Sequence, residues 1–91
     1  MTLKKIIRLL TISLDKLKAL DTKILDVHKI STITECMIIV SGRSNRQVRA
    51  LANNLVKTAK DNNLTLLGIE GMKEGEWVLV DLDDVQMSVS P

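Results

Sequence analysis

Residues 36–49 read CMIIVSGRSNRQVR, and this stretch decides the fold. Five consecutive apolar residues followed by Gly42 are typical of a strand that is buried on both faces and lies inside a sheet. Ser44 stands three residues before Gln47, which is the spacing of a capping box: the hydroxyl accepts a helix N–H and the amide reaches back. The stretch therefore predicts a strand over residues 35–41 that turns directly into a helix.

Outward from this stretch, apolar spacing predicts the remaining elements. Leu3, Ile6, Ile7, Leu10, Leu14 and Leu17 recur at helical intervals, and so do the apolar residues from Val48 to Ala59. Asn62 and Asn63 supply the left-handed conformation that ends a helix. Short strands are predicted over residues 23–29, 64–69, 77–81 and 85–89, with a turn over residues 70–76. The order is α-β-β-α-β-β-β, a single α/β domain with helices on a mixed sheet of about five strands.

Length and composition restrict the class of protein. A chain of 91 residues with 45% hydrophobic residues allows one small domain with an aliphatic core, since Trp77 is its only aromatic residue. The single cysteine, Cys36, is expected in the core, excludes an internal disulfide and fits a reducing compartment. Charged residues interrupt the apolar residues near the N-terminus, and no stretch approaches the ~20 apolar residues of a membrane span. A cytoplasmic protein without a membrane partner is predicted.

Charge is distributed unevenly along the chain. Residues 1–60 contain 12 Lys/Arg and 4 Asp/Glu, a balance of +8, whereas residues 61–91 contain 1 Lys and 7 Asp/Glu, a balance of −6. Folding can mix these charges over a solvated surface. Alternatively, the second segment forms an acidic face that meets a basic partner.

The residues that follow the first buried strand do not form a known phosphate loop. Ser41–Ser44 contains one glycine and no lysine, so it matches neither a P-loop nor a dinucleotide-binding turn. Anion binding at the helix N-terminus remains open. So does RNA binding by Arg43, Arg46 and Arg49, although the chain lacks the Tyr and Phe residues on which RNA bases commonly stack. The alternative is a capped strand-to-helix turn with a structural role.

Two aspartates form the strongest candidate for metal chemistry. Asp81 and Asp83 are one residue apart, so on a strand both carboxylates point to one side and can hold a divalent metal for nucleotidyl transfer. The pattern is common at strand ends, and the glycine-serine loop of such enzymes is absent. His28 is the only histidine and is predicted to lie on a strand with its ring at the surface, so a zinc site is not expected. No catalytic residue, metal or cofactor is predicted.

Trp77 follows an acidic turn. Tryptophan is enriched at the centre of protein interfaces, but it also closes the core of many small domains. If Trp77 is exposed, the turn surrounds it with carboxylates, which suits a basic protein partner.

Taken together and in order, the motifs resemble the ribosomal silencing factor (Iojap) family. The match extends from about residue 5 to residue 90. It is carried by Leu25–Val27, Thr34–Gly42, Ser44–Ala52, Leu67–Gly71, Glu76–Asp81 and Asp84-Val85.

The resemblance implies a function that composition does not give. It implies a non-enzymatic factor that binds the large ribosomal subunit at protein uL14, sterically blocks joining of the small subunit, and so represses translation under nutrient limitation. It also implies a sheet distantly similar to that of nucleotidyltransferases, and self-association as a dimer. Sequence-specific contact with nucleic acid is not expected.

By position, the resemblance assigns the uL14 contact to the acidic turn and the strand that follows it. The residues are Glu70, Met72, Glu74, Glu76, Trp77 and Asp81. The arginines of the SNRQVR segment are then expected to support the fold or to make contacts at the edge of the site. Family members commonly continue past residue 91 with an aromatic-rich segment, so residues 1–91 are interpreted as one domain of this family that lacks that segment.

Overall fold

The computed structural model describes residues 2–27 and 35–91, and within them the predicted order of elements is confirmed. The elements are α1 (Leu3–Lys16), β1 (Asp21–Asp26), β2 (Cys36–Ser41), α2 (Asn45–Asp61), β3 (Leu66–Glu70), β4 (Val78–Leu82) and β5 (Val85–Ser90). β1 begins two residues before the predicted start. The prediction for His28 lies outside the described residues.

The strands form one mixed sheet in the order β1-β2-β5-β4-β3. β2 and β5 are parallel, and the other neighbouring strands are antiparallel. The predicted interior position of β2 is confirmed, because it pairs with β1 on one side and with β5 on the other. The parallel pair requires a long crossover, and this crossover includes α2.

The predicted burial of β2 on both faces is wrong. Cys36, Ile38 and Val40 are buried, but Met37 and Ile39, which point to the opposite face, are only half-buried. β4 and β5 show the same alternation. The physical reason is that the apolar residues of both helices belong to the cluster on a single face of the sheet, and no described element covers the other face.

The core is aliphatic, as the composition predicts. It combines Leu10 and Leu14 of α1 with the apolar stripe of α2 and the inward residues of the strands. Cys36 belongs to this core, as predicted. Burial raises the pKa of its thiol, and the nearby Asp26 carboxylate raises it further, so the thiol stays protonated at neutral pH. No helix in the described residues is long and apolar enough to cross a membrane.

The predicted cap of α2 is confirmed and has an additional role. The Ser44 hydroxyl accepts the N–H of Gln47 at 3.1 Å, and the Gln47 amide oxygen accepts the N–H of Arg43. The other end of this amide donates to the carbonyl oxygens of Leu17 and Lys18, at 3.1 and 3.3 Å. One glutamine therefore closes the start of α2 and ties it to the end of α1. At the other end of α2, Asn63 has a φ of 57°, the left-handed conformation that was predicted.

Replacing Ser44 with alanine is expected to lower the free energy of unfolding by about 1 kcal/mol, because the Gln47 N–H loses its acceptor. Urea denaturation followed by far-UV circular dichroism measures the change. Ser44→Asp is the matched control: a carboxylate accepts the same N–H and is favoured at a helix N-terminus, so it should restore stability. Equal losses in both variants would contradict the assignment of this cap.

Candidate docking face

The uncovered side of the sheet is the candidate functional site, and we call it the open face. Two rows of directly opposed residues run across it. The first row is Leu25, Met37, Gln86, Asp81 and Gly68. The second row is Lys23, Ile39, Ser88, Leu79 and Glu70. Apolar side chains thus occupy β2 and one position each on β1 and β4, the middle strand β5 contributes the polar Gln86 and Ser88, and carboxylates lie on β3 and β4.

Trp77 lies on the open face and is exposed. Its indole N–H donates to the Ser88 hydroxyl at 2.5 Å, so the ring lies over the second row of the sheet. The side chain is 52% exposed. The question that the sequence left open is therefore answered: the only aromatic residue of the chain lies outside the core.

The segment that carries Trp77 to this position, residues 71–77, is a tightly closed loop. The Gly75 N–H donates to the Gly71 carbonyl at 3.1 Å. Gly71 has a φ of +85°, and a Cβ built there would lie 1.9 Å from the carbonyl oxygen of Trp77. Gly75 has a φ of +68°, and a Cβ there would lie 2.6 Å from a guanidinium nitrogen of Arg49. Both positions require glycine for conformation and for space.

Arg49 holds this loop from the helix layer. Its Nη1 atom donates to the carbonyl oxygens of Lys73 and Glu74, at 3.3 and 3.0 Å. These two carbonyls belong to a loop with no strand partner, and a charged donor makes a stronger hydrogen bond than a neutral one. The expectation that an arginine of the SNRQVR segment supports the fold is confirmed for Arg49. Arg46, the other arginine of the segment, and Arg43, which precedes the segment, are exposed.

The residues assigned by position are distributed over three environments. Glu70 and Asp81 lie on the open face, where Asp81 is half-buried opposite Gln86. Glu74 and Glu76 are exposed in the 71–77 loop. Met72 is partly buried and packs against the hydrophobic core, so it anchors the loop from inside.

Sequence reasoning missed the apolar part of the open face. Apolar spacing assigns strand positions, and no functional role, to Leu25, Met37, Ile39 and Leu79. The available signal was alternation: Leu79 stands between Val78 and Val80, so if these two face the core, Leu79 faces away from it.

The two aspartates proposed for metal binding lie in different surroundings. Asp81 is on β4, whereas Asp83 is in the turn after it, where Asp83 and Asp84 line a cleft of about 430 Å³ beside Asn62 and Asn63. Within residues 2–27 and 35–91 no group of three or more His, Cys, Asp or Glu side chains is arranged to hold a metal ion. The geometry gives no support to metal-dependent nucleotidyl transfer.

Known proteins resemble this chain over nearly its whole length. The family profile described as "Ribosomal silencing factor during starvation" matches residues 1–89. The ribosomal silencing factor RsfS of Chromobacterium violaceum is 39% identical over 89 residues, which are 98% of this chain and 73% of that protein. The RsfS protein of Bacillus subtilis is 35% identical, over 98% of this chain and 75% of its own length.

Solved structures show the same similarity. A crystal structure of a Chromobacterium violaceum protein superposes with a TM-score of 0.96 at 39% identity, over 99% of this chain and 75% of that one. A Bacillus halodurans structure superposes with a TM-score of 0.90 at 31% identity, over 96% and 81% of the two chains.

Replacing Gly71 with alanine is expected to lower the free energy of unfolding by about 1–3 kcal/mol, because the new Cβ meets the Trp77 carbonyl and the backbone stays left-handed. Gly68→Ala is the control: Gly68 is not left-handed, and a Cβ there meets nothing within 4 Å. That variant should match or slightly exceed the parent in stability. Thermal unfolding of the two proteins measures the difference, and a neutral Gly71→Ala would refute the close contact.

Replacing Arg49 with methionine is expected to loosen the 71–77 loop, since two carbonyl groups lose their donor. The fluorescence anisotropy of Trp77 should fall, and the free energy of unfolding should drop by about 1–2 kcal/mol. Arg46→Met, one turn earlier on α2, removes the same charge from an exposed side chain and should leave the anisotropy unchanged. An equal fall in both variants would show that Arg49 does not hold the loop.

Proposed function

Because the chain belongs to the ribosomal silencing factor family, we propose that it binds the large ribosomal subunit at protein uL14 and prevents the small subunit from joining. The family comprises regulatory factors rather than enzymes, and its description places the silencing during starvation. In this proposal the open face is the docking surface. Translation is repressed in the cytoplasm when nutrients are limiting.

The observation that carries the proposal is the exposed Trp77 on an uncovered sheet face. Trp77 is the only aromatic residue of the chain, and it lies outside the core with 52% of its side chain exposed. On docking it would bury a large area at small cost in conformational entropy, since only two side-chain torsions are fixed. Beside it, Ile39 and Leu79 extend the apolar surface along one row of the sheet.

The charges around this surface favour a basic protein as the partner. Glu70 ends the row that contains Ile39 and Leu79, Asp81 lies in the neighbouring row, and Glu76 directly precedes Trp77. An apolar centre with a polar, charged rim is the usual anatomy of a protein interface. A rim of carboxylates speeds association with a cationic surface and disfavours anionic ones. These contacts are proposed for Glu70, Glu74, Glu76, Trp77 and Asp81, with Met72 holding the loop from inside.

The proposed mechanism needs bulk and rigidity and no chemical step. The described residues form a body of 31 × 27 × 21 Å, which is enough to keep two docking surfaces apart wherever it lies between them. The helix layer supports the sheet from behind, and Arg49 fixes the loop. We infer that residues 1–91 act as one domain, without metal or cofactor, and that neither a membrane nor sequence-specific nucleic-acid recognition takes part.

Replacing Trp77 with alanine is expected to weaken binding to purified large subunits by about 2 kcal/mol or more, about 30-fold, because the central anchor is lost. Cosedimentation over a range of protein concentrations measures the affinity. Ile12→Ala is the matched control, since Ile12 is 47% exposed, comparable to Trp77, but lies on α1. It should bind like the parent.

The fluorescence of Trp77 gives a second readout on the unmodified protein. Its emission maximum should lie at the long wavelength of a hydrated indole and shift to shorter wavelength when large subunits are added. Parent protein that stays in the supernatant at micromolar concentration would refute binding. A folded Trp77→Ala protein with parental affinity would remove the open face from the interface.

A further inference from the structure

Charge in this protein is separated by layer. The helical segments, residues 2–20 and 42–63, contain ten Lys/Arg and two Asp/Glu, a balance of +8. The strands with their loops, residues 21–27, 35–41 and 64–91, contain two Lys and nine Asp/Glu, a balance of −7. Lys29, outside the described residues, accounts for the remainder of the net +2. Folding therefore gives the helix layer a net positive charge and the sheet with its loops a net negative charge.

The positive charges of the helices form two exposed stripes. On α1 the stripe consists of Lys5, Arg8 and Lys16, and on α2 it consists of Arg46, Lys57 and Lys60. The spacing within each stripe is close to whole helical turns, on the side opposite the buried leucines. We call these six residues the helix face.

The two stripes lie side by side because the two helices pack against each other, in antiparallel orientation. The Ser13 and Thr58 hydroxyls are 2.9 Å apart, and the Asn54 amide donates to the Ser13 carbonyl at 2.9 Å. Helices in contact are about 8–10 Å apart, and the α2 stripe covers about 20 Å at 1.5 Å per residue. Lys16 and Lys57 border the shallow groove between the helices, which Asp61 also lines.

The placement of these charges has mixed effects on the helices: Lys16 and Lys60 lie in the last turns, where the helix dipole favours a cation. Lys5 and Arg8 are three residues apart, as are Lys57 and Lys60, and like charges at this spacing repel. Neither helix has an acidic residue in its first turn, where the helix dipole favours one; α1 has Lys4 and Lys5 there, and α2 has Arg46. The helix dipole therefore accounts for Lys16 and Lys60 but not for Lys5 and Arg46.

We infer that the helix face binds the phosphate backbone of RNA without reading its sequence. Lysine and arginine side chains in parallel stripes neutralise phosphates, and no aromatic residue is present on this face to stack on bases. An anionic membrane fits less well, because the apolar stripe of α1 is buried in the core and Ile12 is the only exposed large apolar side chain within the bounds of α1 and α2. The choice of RNA among polyanions rests on the proposed function, since a ribosomal subunit exposes RNA beside its proteins.

The test measures the salt dependence of binding to a fluorescein-labelled RNA duplex of mixed sequence, by fluorescence anisotropy at about 50–200 mM KCl. If about four phosphates are neutralised, the affinity should fall roughly 100-fold over this range. In the Lys57→Gln/Lys60→Gln variant, the slope of log affinity against log salt should decrease by about 2. Lys23→Gln/Lys73→Gln is the matched control: it removes the same charge from the sheet side, and its slope should equal that of the parent.

Each of the following three outcomes would overturn the inference. Equal slope changes in both double variants would mean that RNA responds only to net charge. Absence of RNA binding by the parent at micromolar concentration and about 50 mM KCl would remove RNA as the partner. Binding to vesicles that contain anionic phospholipid is measured in parallel. If the parent binds these vesicles more tightly than it binds RNA, and the Lys57→Gln/Lys60→Gln variant does not bind them, the helix face is assigned to a membrane. Docking at uL14 is tested separately, by the binding of the parent and of Trp77→Ala to large subunits, so its failure is distinguishable from a failure of RNA binding.

Discussion

The structure depends on one packing constraint: both helices bury their apolar stripes on the same side of the sheet. Within residues 2–27 and 35–91, sixteen apolar residues form the buried core, and every one of them comes from the inward side of a helix or strand. Since Leu, Ile, Val and Met fill this layer, the domain needs no aromatic residue to close it. The consequence is that no described element covers the other sheet face, where Met37, Ile39 and Leu79 are half-buried. A small domain ordinarily covers such a surface or uses it for binding.

The elements and their order were predictable because each has a local signal. Helical spacing marks α1 and α2, the Ser44–Gln47 pair marks the start of α2, and the acidic glycine turn separates β3 from β4. One-sided burial was not predictable from β2, since an unbroken apolar run is compatible with one or with two covered faces. That distinction depends on where the helices pack, and the sequence of the strand does not record it. The bond from Arg49 to Glu74 joins residues 25 positions apart, which no local pattern can reveal.

The candidate site shows the same division. Trp77 and its acidic neighbours stand out by residue type, so sequence reasoning found them. Leu25, Met37 and Ile39 come from other strands and join the surface only through the register of the sheet. The charge asymmetry was visible along the chain, but the spatial distribution of the charges was not. Because α1 and α2 both precede residue 62, the basic first part of the chain supplies the helix layer.

Arg49 connects the two sides of the domain. It begins on the basic helix layer, but its guanidinium group serves the backbone of the acidic loop, so its charge is directed toward the carboxylates and away from the helix face. Both bonds are donated by one guanidinium nitrogen, Nη1, to carbonyl groups that are adjacent in the chain. The position of the indole on the sheet thus depends on a side chain from the opposite layer. If one side of the domain meets a basic protein and the other side meets phosphates, a loop that is fixed relative to the helices lets both contacts form at the same time.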